Sequence, residues 1–170
     1  MTGVVEMEKA RLDRAADRGY RNWRSQFGED FGVETRLADL SLNTLTFLAG
    51  GGDRGTFYLF DLIMNLQGLG SGLEFHELPG REKMAVMDRH LFLLDRIRFE
   101  YMKRLGWLDA YPGEELSLVE LILQFDRLAP GLQARTPSLN PEHPDHDRFA
   151  AMVAFEKEEL IRTLLVKAVK

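Results

Sequence analysis

The chain has 170 residues, with 22 Lys and Arg against 27 Asp and Glu for a formal net charge of -5, a balance that argues against a protein that coats nucleic acid. With 45% hydrophobic and 29% charged residues it has the composition of a folded globular chain of one domain, 1–170, rather than of a disordered tail. Cysteine is absent, which excludes a disulfide scaffold, a thiolate metal site and a Cys nucleophile.

Charge is uneven along the chain. Residues 1–27 carry Lys9, Arg11, Arg14, Arg18, Arg21 and Arg24 against four acidic side chains. A helix over about 4–25 places Arg11, Arg14, Arg18 and Arg21 on one face, beside an apolar stripe of Leu12, Ala16, Tyr20, Trp23 and Phe27. This basic amphipathic segment reads as a surface helix docked by Trp23, or as a loosely packed arm whose arginines meet phosphate or anionic lipid. Asp13 and Asp17 dilute the basic stripe.

The second predicted helix, about 36–49, carries Leu37, Leu40, Leu45 and Leu48 and stops at Gly50-Gly51-Gly52; the alternation around 40–48 also admits a short hairpin. The third, about 54–67, follows Asp53 as its cap and ends before Gly68, Gly70 and Gly72. The fourth is the longest, about 80–106. In the fifth, Ser117 and Glu120 have capping-box spacing and Leu116 and Leu121 the positions of a hydrophobic staple, which predicts a helix over 118–129 that Pro130 stops. A proline-rich connection, 130–147, leads to a last helix that begins near Asp145 or Asp147 and runs to the end. The expected fold is all-α, a compact bundle of about six helices. No apolar run is long enough for a membrane span and no signal-peptide core is evident, so a cytoplasmic protein is expected.

Charges set into apolar faces are the main functional clue. On a helical wheel the fourth helix puts Met84, Met87, Leu91, Leu94, Tyr101, Met102 and Leu105 on one side and Glu82, Arg89, Arg96, Glu100 and Lys103 on the other. Arg98 falls within the apolar stripe, with Asp95 and Asp88 near it; Asp126 sits between Val119 and Ile122, and Asp61 lies on the one polar strip of the third helix. Such charges need partners. One solution is an inter-helix network in which Arg98 binds Asp95 and either Asp126 or Asp61. Another is a pocket in which Asp61, Asp88, Asp95 and Asp126 act as acid, base or divalent-ion ligands and Arg98 holds an anionic substrate, as in a metal-assisted hydrolase or lyase.

The glycine-rich Gly50–Thr56 stretch lacks the lysine of a phosphate-binding loop; it reads as the end of one helix followed by the cap of the next, with a small-anion role for helix three's N-terminus and Arg54 as the lesser alternative. His143, Asp145, His146 and Asp147 offer metal-ligand chemistry, although in a proline-broken segment and without a helix to align the histidines. No serine lies in a nucleophile elbow. No motif implies a cofactor. Trp23, Phe92 and Phe99 are candidate interface anchors, with Phe92 and Phe99 on a flank of helix four that other helices or a second subunit should cover. The leading expectation is therefore a non-enzymatic helical module that binds another protein or a second copy of itself.

Overall fold

The computed structural model describes residues 2–169, and they form an all-α fold with one two-stranded sheet. Helix α1, Thr2–Phe27, is followed by a 3-10 turn, Leu37–Asp39, and by α2, Leu42–Ala49. Helix α3, Asp53–Leu66, leads through a second 3-10 segment, Gly72–Glu77, into α4, Gly80–Arg104. Strand β1, Leu108–Ala110, then α5, Leu118–Leu123, and α6, Phe125–Gln133, come next. Strand β2, Ser138–Leu139, α7, His146–Ala150, and α8, Ala154–Ala168, complete the order. Among the described residues no helix is long and apolar enough to cross a membrane.

The C-terminal two-thirds of α1 is docked as its apolar stripe predicts. Ala16, Tyr20 and Trp23 are buried, and the Trp23 indole N–H donates to the Tyr58 carbonyl of α3 at 2.8 Å. Edge-to-face contacts link Trp23 to Tyr20, Phe27 and Phe31, and Phe27 to Phe47 of α2. Residues 3–9 and the arginines 11, 14, 18 and 21 are exposed.

Several predicted boundaries move, each for a local reason. The segment 36–49 is not one helix, nor a hairpin. Ser41 caps a new start by accepting from the Thr44 backbone N–H, and Glu29 fixes that cap by accepting from the Ser41 N–H and hydroxyl, both at 3.0 Å, and from the Thr44 hydroxyl. Gly52, not Asp53, is the N-cap of α3.

The capping box of Ser117 and Glu120 forms as its spacing predicts, with Ser117 Oγ accepting from the Glu120 N–H at 3.0 Å. The helix it starts breaks at Gln124, however, and Pro130 lies inside α6 rather than ending a helix before it. The proline-rich connection supplies β2, which pairs antiparallel with β1, Leu108 against Leu139 and Ala110 against Ser138, with an irregular register between them. The last predicted helix is two helices, divided between Ala151 and Val153.

The core runs through α3, α4 and α5. On α4 the core lies round the helix from the predicted apolar side, of which only Leu94 and Met102 are buried. Val86, His90, Phe92, Leu93, Ile97, Phe99 and Met102 are buried together with Arg96 and Glu100, while Met84, Leu91 and Leu105 are exposed. The guanidinium of Arg96 lies over the rings of both Phe92 and Phe99, with centroid distances of 5.0 and 5.1 Å. The two rings therefore hide the cation.

Candidate functional site

A cleft of about 370 Å³ opens between α4, the end of α6, the connection 134–137 and α8. Its buried side is Arg96 and Phe99 of α4; Ile161 and Leu165 of α8 and Pro137 add apolar wall, and the exposed Arg135 and Arg162 stand at its rim. Arg96 is only 3% exposed. Its Nη1 donates to the Pro112 carbonyl at 2.9 Å, its Nε has no partner, and none of the ion pairs among the described residues includes it.

Two carboxylates also line the cleft. Burial pushes the Asp95 carboxyl above its ordinary range, a trend opposed by the neighbouring Arg96, Arg162 and Arg98. Glu158 is engaged with Arg162 at 3.4 Å on the exposed face of α8. Burial likewise disfavours the charge on Arg96, opposed first by Asp95. Guanidinium groups nevertheless stay protonated in proteins, so the cleft keeps a fixed positive charge at its floor.

The aspartates set into apolar faces do not gather in one cavity. Asp61 is buried and satisfied, accepting from the Gly72 N–H at 2.9 Å, from Asn22 Nδ2 at 3.0 Å and from Asn65 Nδ2 at 3.2 Å, so it fastens the glycine-rich connection to α3 and α1. Asp126 has a 90% exposed side chain and lies 3.6 Å from Arg89. Asp88 is exposed. Of these four, Asp95 alone lines the cleft.

Arg98 does not bridge carboxylates. Its Nε donates to the Ala49 carbonyl at 2.9 Å, and the end of its guanidinium occupies the space beside Gly51, where a Cβ would come within 2.8 Å. Gly51 also has φ +69°, a left-handed conformation that suits glycine. The glycine-rich stretch is thus a helix end, a turn and a helix start stitched to α4. Arg54 is exposed on a shallow surface beside Gln26, Phe47 and Tyr58.

The histidine segment is also committed locally. His143 Nδ1 accepts from the Asp145 N–H at 3.0 Å, its ring meets Trp107 edge to face, and Asp145 lies 3.7 Å from Arg148. His146 Nδ1 lies 3.6 Å from the Asp147 carboxylate. Among the described residues no three His, Asp or Glu side chains are placed to hold a metal ion.

The three proposed aromatic anchors are interior, which corrects their reading as interface residues. Trp23 packs in the α1–α3 cluster, Phe92 against Phe125 of α6, and Phe99 against Tyr111. Other elements of the same chain cover the flank of α4 that carries Phe92 and Phe99.

Sequence reading missed Arg96, Arg135, Glu158 and Arg162. Arg96 does carry a signal: it stands four residues after Phe92 and three before Phe99, so one helix face brackets a cation between two rings. Arg135 and Arg162 carry none, because only the packing of the α6–β2 connection and of α8 against α4 places both at one cleft. No protein-family model, no curated protein and no solved structure matches this chain.

Proposed function

We propose that the protein is a non-enzymatic helical module that associates with a second copy of itself through the outer face of α4. The observation that carries this reading is an apolar seam left uncovered: Met84 is 69% and Leu91 55% exposed, one turn either side of the exposed Asp88. Arg81, Met84, Asp88, Leu91 and Asp95 recur at alternating steps of three and four, the spacing with which a helix presents one line of side chains to another helix.

A two-fold axis between Met87 and Asp88 sets Met84 of one copy against Leu91 of the other, and brings Arg81 near Asp95. Such a self-complementary patch is what an isologous dimer uses. Flexible methionine suits a surface that adapts to its partner. The seam is short, so the association belongs to the weak class that buries less than about 1,200 Å². Asp88, close to the axis, opposes its own copy and holds the affinity down.

Sedimentation equilibrium from micromolar to millimolar protein tests this. The wild type is expected to approach the dimer mass as concentration rises, and the double variant Met84→Lys, Leu91→Lys to stay monomeric at an unchanged melting temperature. A wild type that remains monomeric at millimolar concentration, or a double variant that dimerises equally well, sinks the reading.

A further inference from the structure

We further propose that the cleft between α4, α6 and α8 binds a small organic monoanion, a carboxylate head joined to a short apolar body. Charge and shape both support this. The cleft holds three guanidinium groups, Arg96, Arg135 and Arg162, against two carboxylates, Asp95 and Glu158. Glu158 is engaged with Arg162 at the rim, and Arg96 makes no ion pair among the described residues. One further carboxylate brings the site to neutrality.

A buried charge is costly until it is compensated, so the site favours an anion over a neutral ligand of the same shape. Arg96 acts through its charge rather than by direct contact, because the rings of Phe92 and Phe99 cover its guanidinium. Its bond to the Pro112 carbonyl and the flanking rings of Phe92 and Phe99 hold the guanidinium in place before any ligand arrives. The planar forks of Arg135 and Arg162 at the rim match a carboxylate's two oxygens.

The remaining wall is not that of a bare phosphate site. Phe99, Ile161, Leu165 and Pro137 offer apolar surface, and a volume of about 370 Å³ exceeds what an inorganic anion fills. Polar groups that fix orientation beside largely apolar contact are the usual arrangement for a small organic ligand. The carboxylate head lies toward Arg135 and Arg162 at the rim and the apolar body along α8.

Calorimetric titration with sodium hexanoate tests the assignment, with hexanol and inorganic phosphate as comparison ligands. Hexanoate is expected to bind saturably and both comparison ligands at least tenfold more weakly. Arg135→Gln and Arg162→Gln change exposed side chains and leave the fold intact; each is expected to weaken hexanoate roughly tenfold, the loss of one charge-assisted hydrogen bond. Asp95→Asn, which removes a competing carboxylate, is expected to tighten it. No saturable heat with hexanoate, equal binding of hexanol or of phosphate, or wild-type affinity in both arginine variants overturns the proposal.

Discussion

The backbone N–H of Gly72 donates to the buried carboxylate of Asp61 at 2.9 Å, and a Cβ on Gly72 would stand 2.9 Å from the Asp61 nitrogen and 3.0 Å from the Phe57 carbonyl oxygen. The connection after α3 therefore lies directly on the helix backbone, and only glycine fits there. Asp61→Ala leaves the Gly72 N–H and the Asn22 side-chain amide without their acceptor, while Asn65 keeps the backbone carbonyl of residue 61, and is expected to cost about 3 kcal/mol. Gly72→Ala is expected to cost about 1–3 kcal/mol by overpacking. Urea denaturation checks both, and an unchanged midpoint in either refutes this account of the contact.

His90 is buried against Phe60 with neither ring nitrogen hydrogen-bonded, and burial, aided by the charge of Arg98, lowers its pKa below 6.5. The unfolded chain then binds the proton more readily than the folded one. The contribution of His90 is present above pH 6.5 and is lost as pH falls below that value and through the folded pKa. His90→Leu is expected to stabilise the protein by about 1 kcal/mol, or roughly 3 °C in melting temperature. It should also flatten the fall in stability on acidification, and a variant whose slope matches the wild type refutes the assignment.

Asp95 has the opposite linkage. Its carboxyl pKa is raised by burial above the unfolded value of 3.8, so the folded state holds this proton longer. Its favourable contribution lies below that value and is lost as pH rises through the folded pKa. Asp95→Asn is therefore expected to raise the melting temperature at neutral pH and to lose that advantage in acid. Thermal scans across the acid range give the sign directly.

Phe92 and Phe99 are interior, so replacing both with serine should unfold the chain rather than separate copies of it. Each large-to-small change in a core costs about 3–5 kcal/mol, and two together approach the whole stability of a domain. Loss of the helical circular dichroism signal is the expected result. A folded monomeric double variant would show that this flank is not core.

Arg11, Arg14 and Arg18 make no ion pair among the described residues, and their exposed face of α1 packs on nothing. Changing all three to glutamate is expected to shift stability by no more than about 0.5 kcal/mol per site. Chemical denaturation measures it, and a larger loss would point to contacts on that face.

Local chemistry was legible in the sequence at the start of α5, where both partners lie within one helical turn. Ser117 and Glu120 satisfy each other across three residues, and no distant contact is needed to read them. The face of α4 was not legible, because apolar residues surround much of that helix and a wheel records hydrophobicity, not which neighbour arrives. Arg96 reads as solvent-facing until Pro112 in the turn after β1, the end of α6 and α8 close around it, while Met84 reads as core although it is exposed. The break at Gln124 and the position of Pro130 inside α6 likewise depend on packing that propensity does not contain. The cleft was the least legible feature, since its walls come from segments about 95–99, 133–137 and 158–165.

The pairing of β1 with β2 has a mechanical meaning. Leu108 is held beside Leu139, so the chain leaves and returns at one clasp, and α5 and α6 form a closed excursion from it. A single backbone cut near the exposed Gly131 should leave two fragments gripped by that clasp and by the core on either side. They should migrate as one particle under native conditions and part only when denaturant opens the strands.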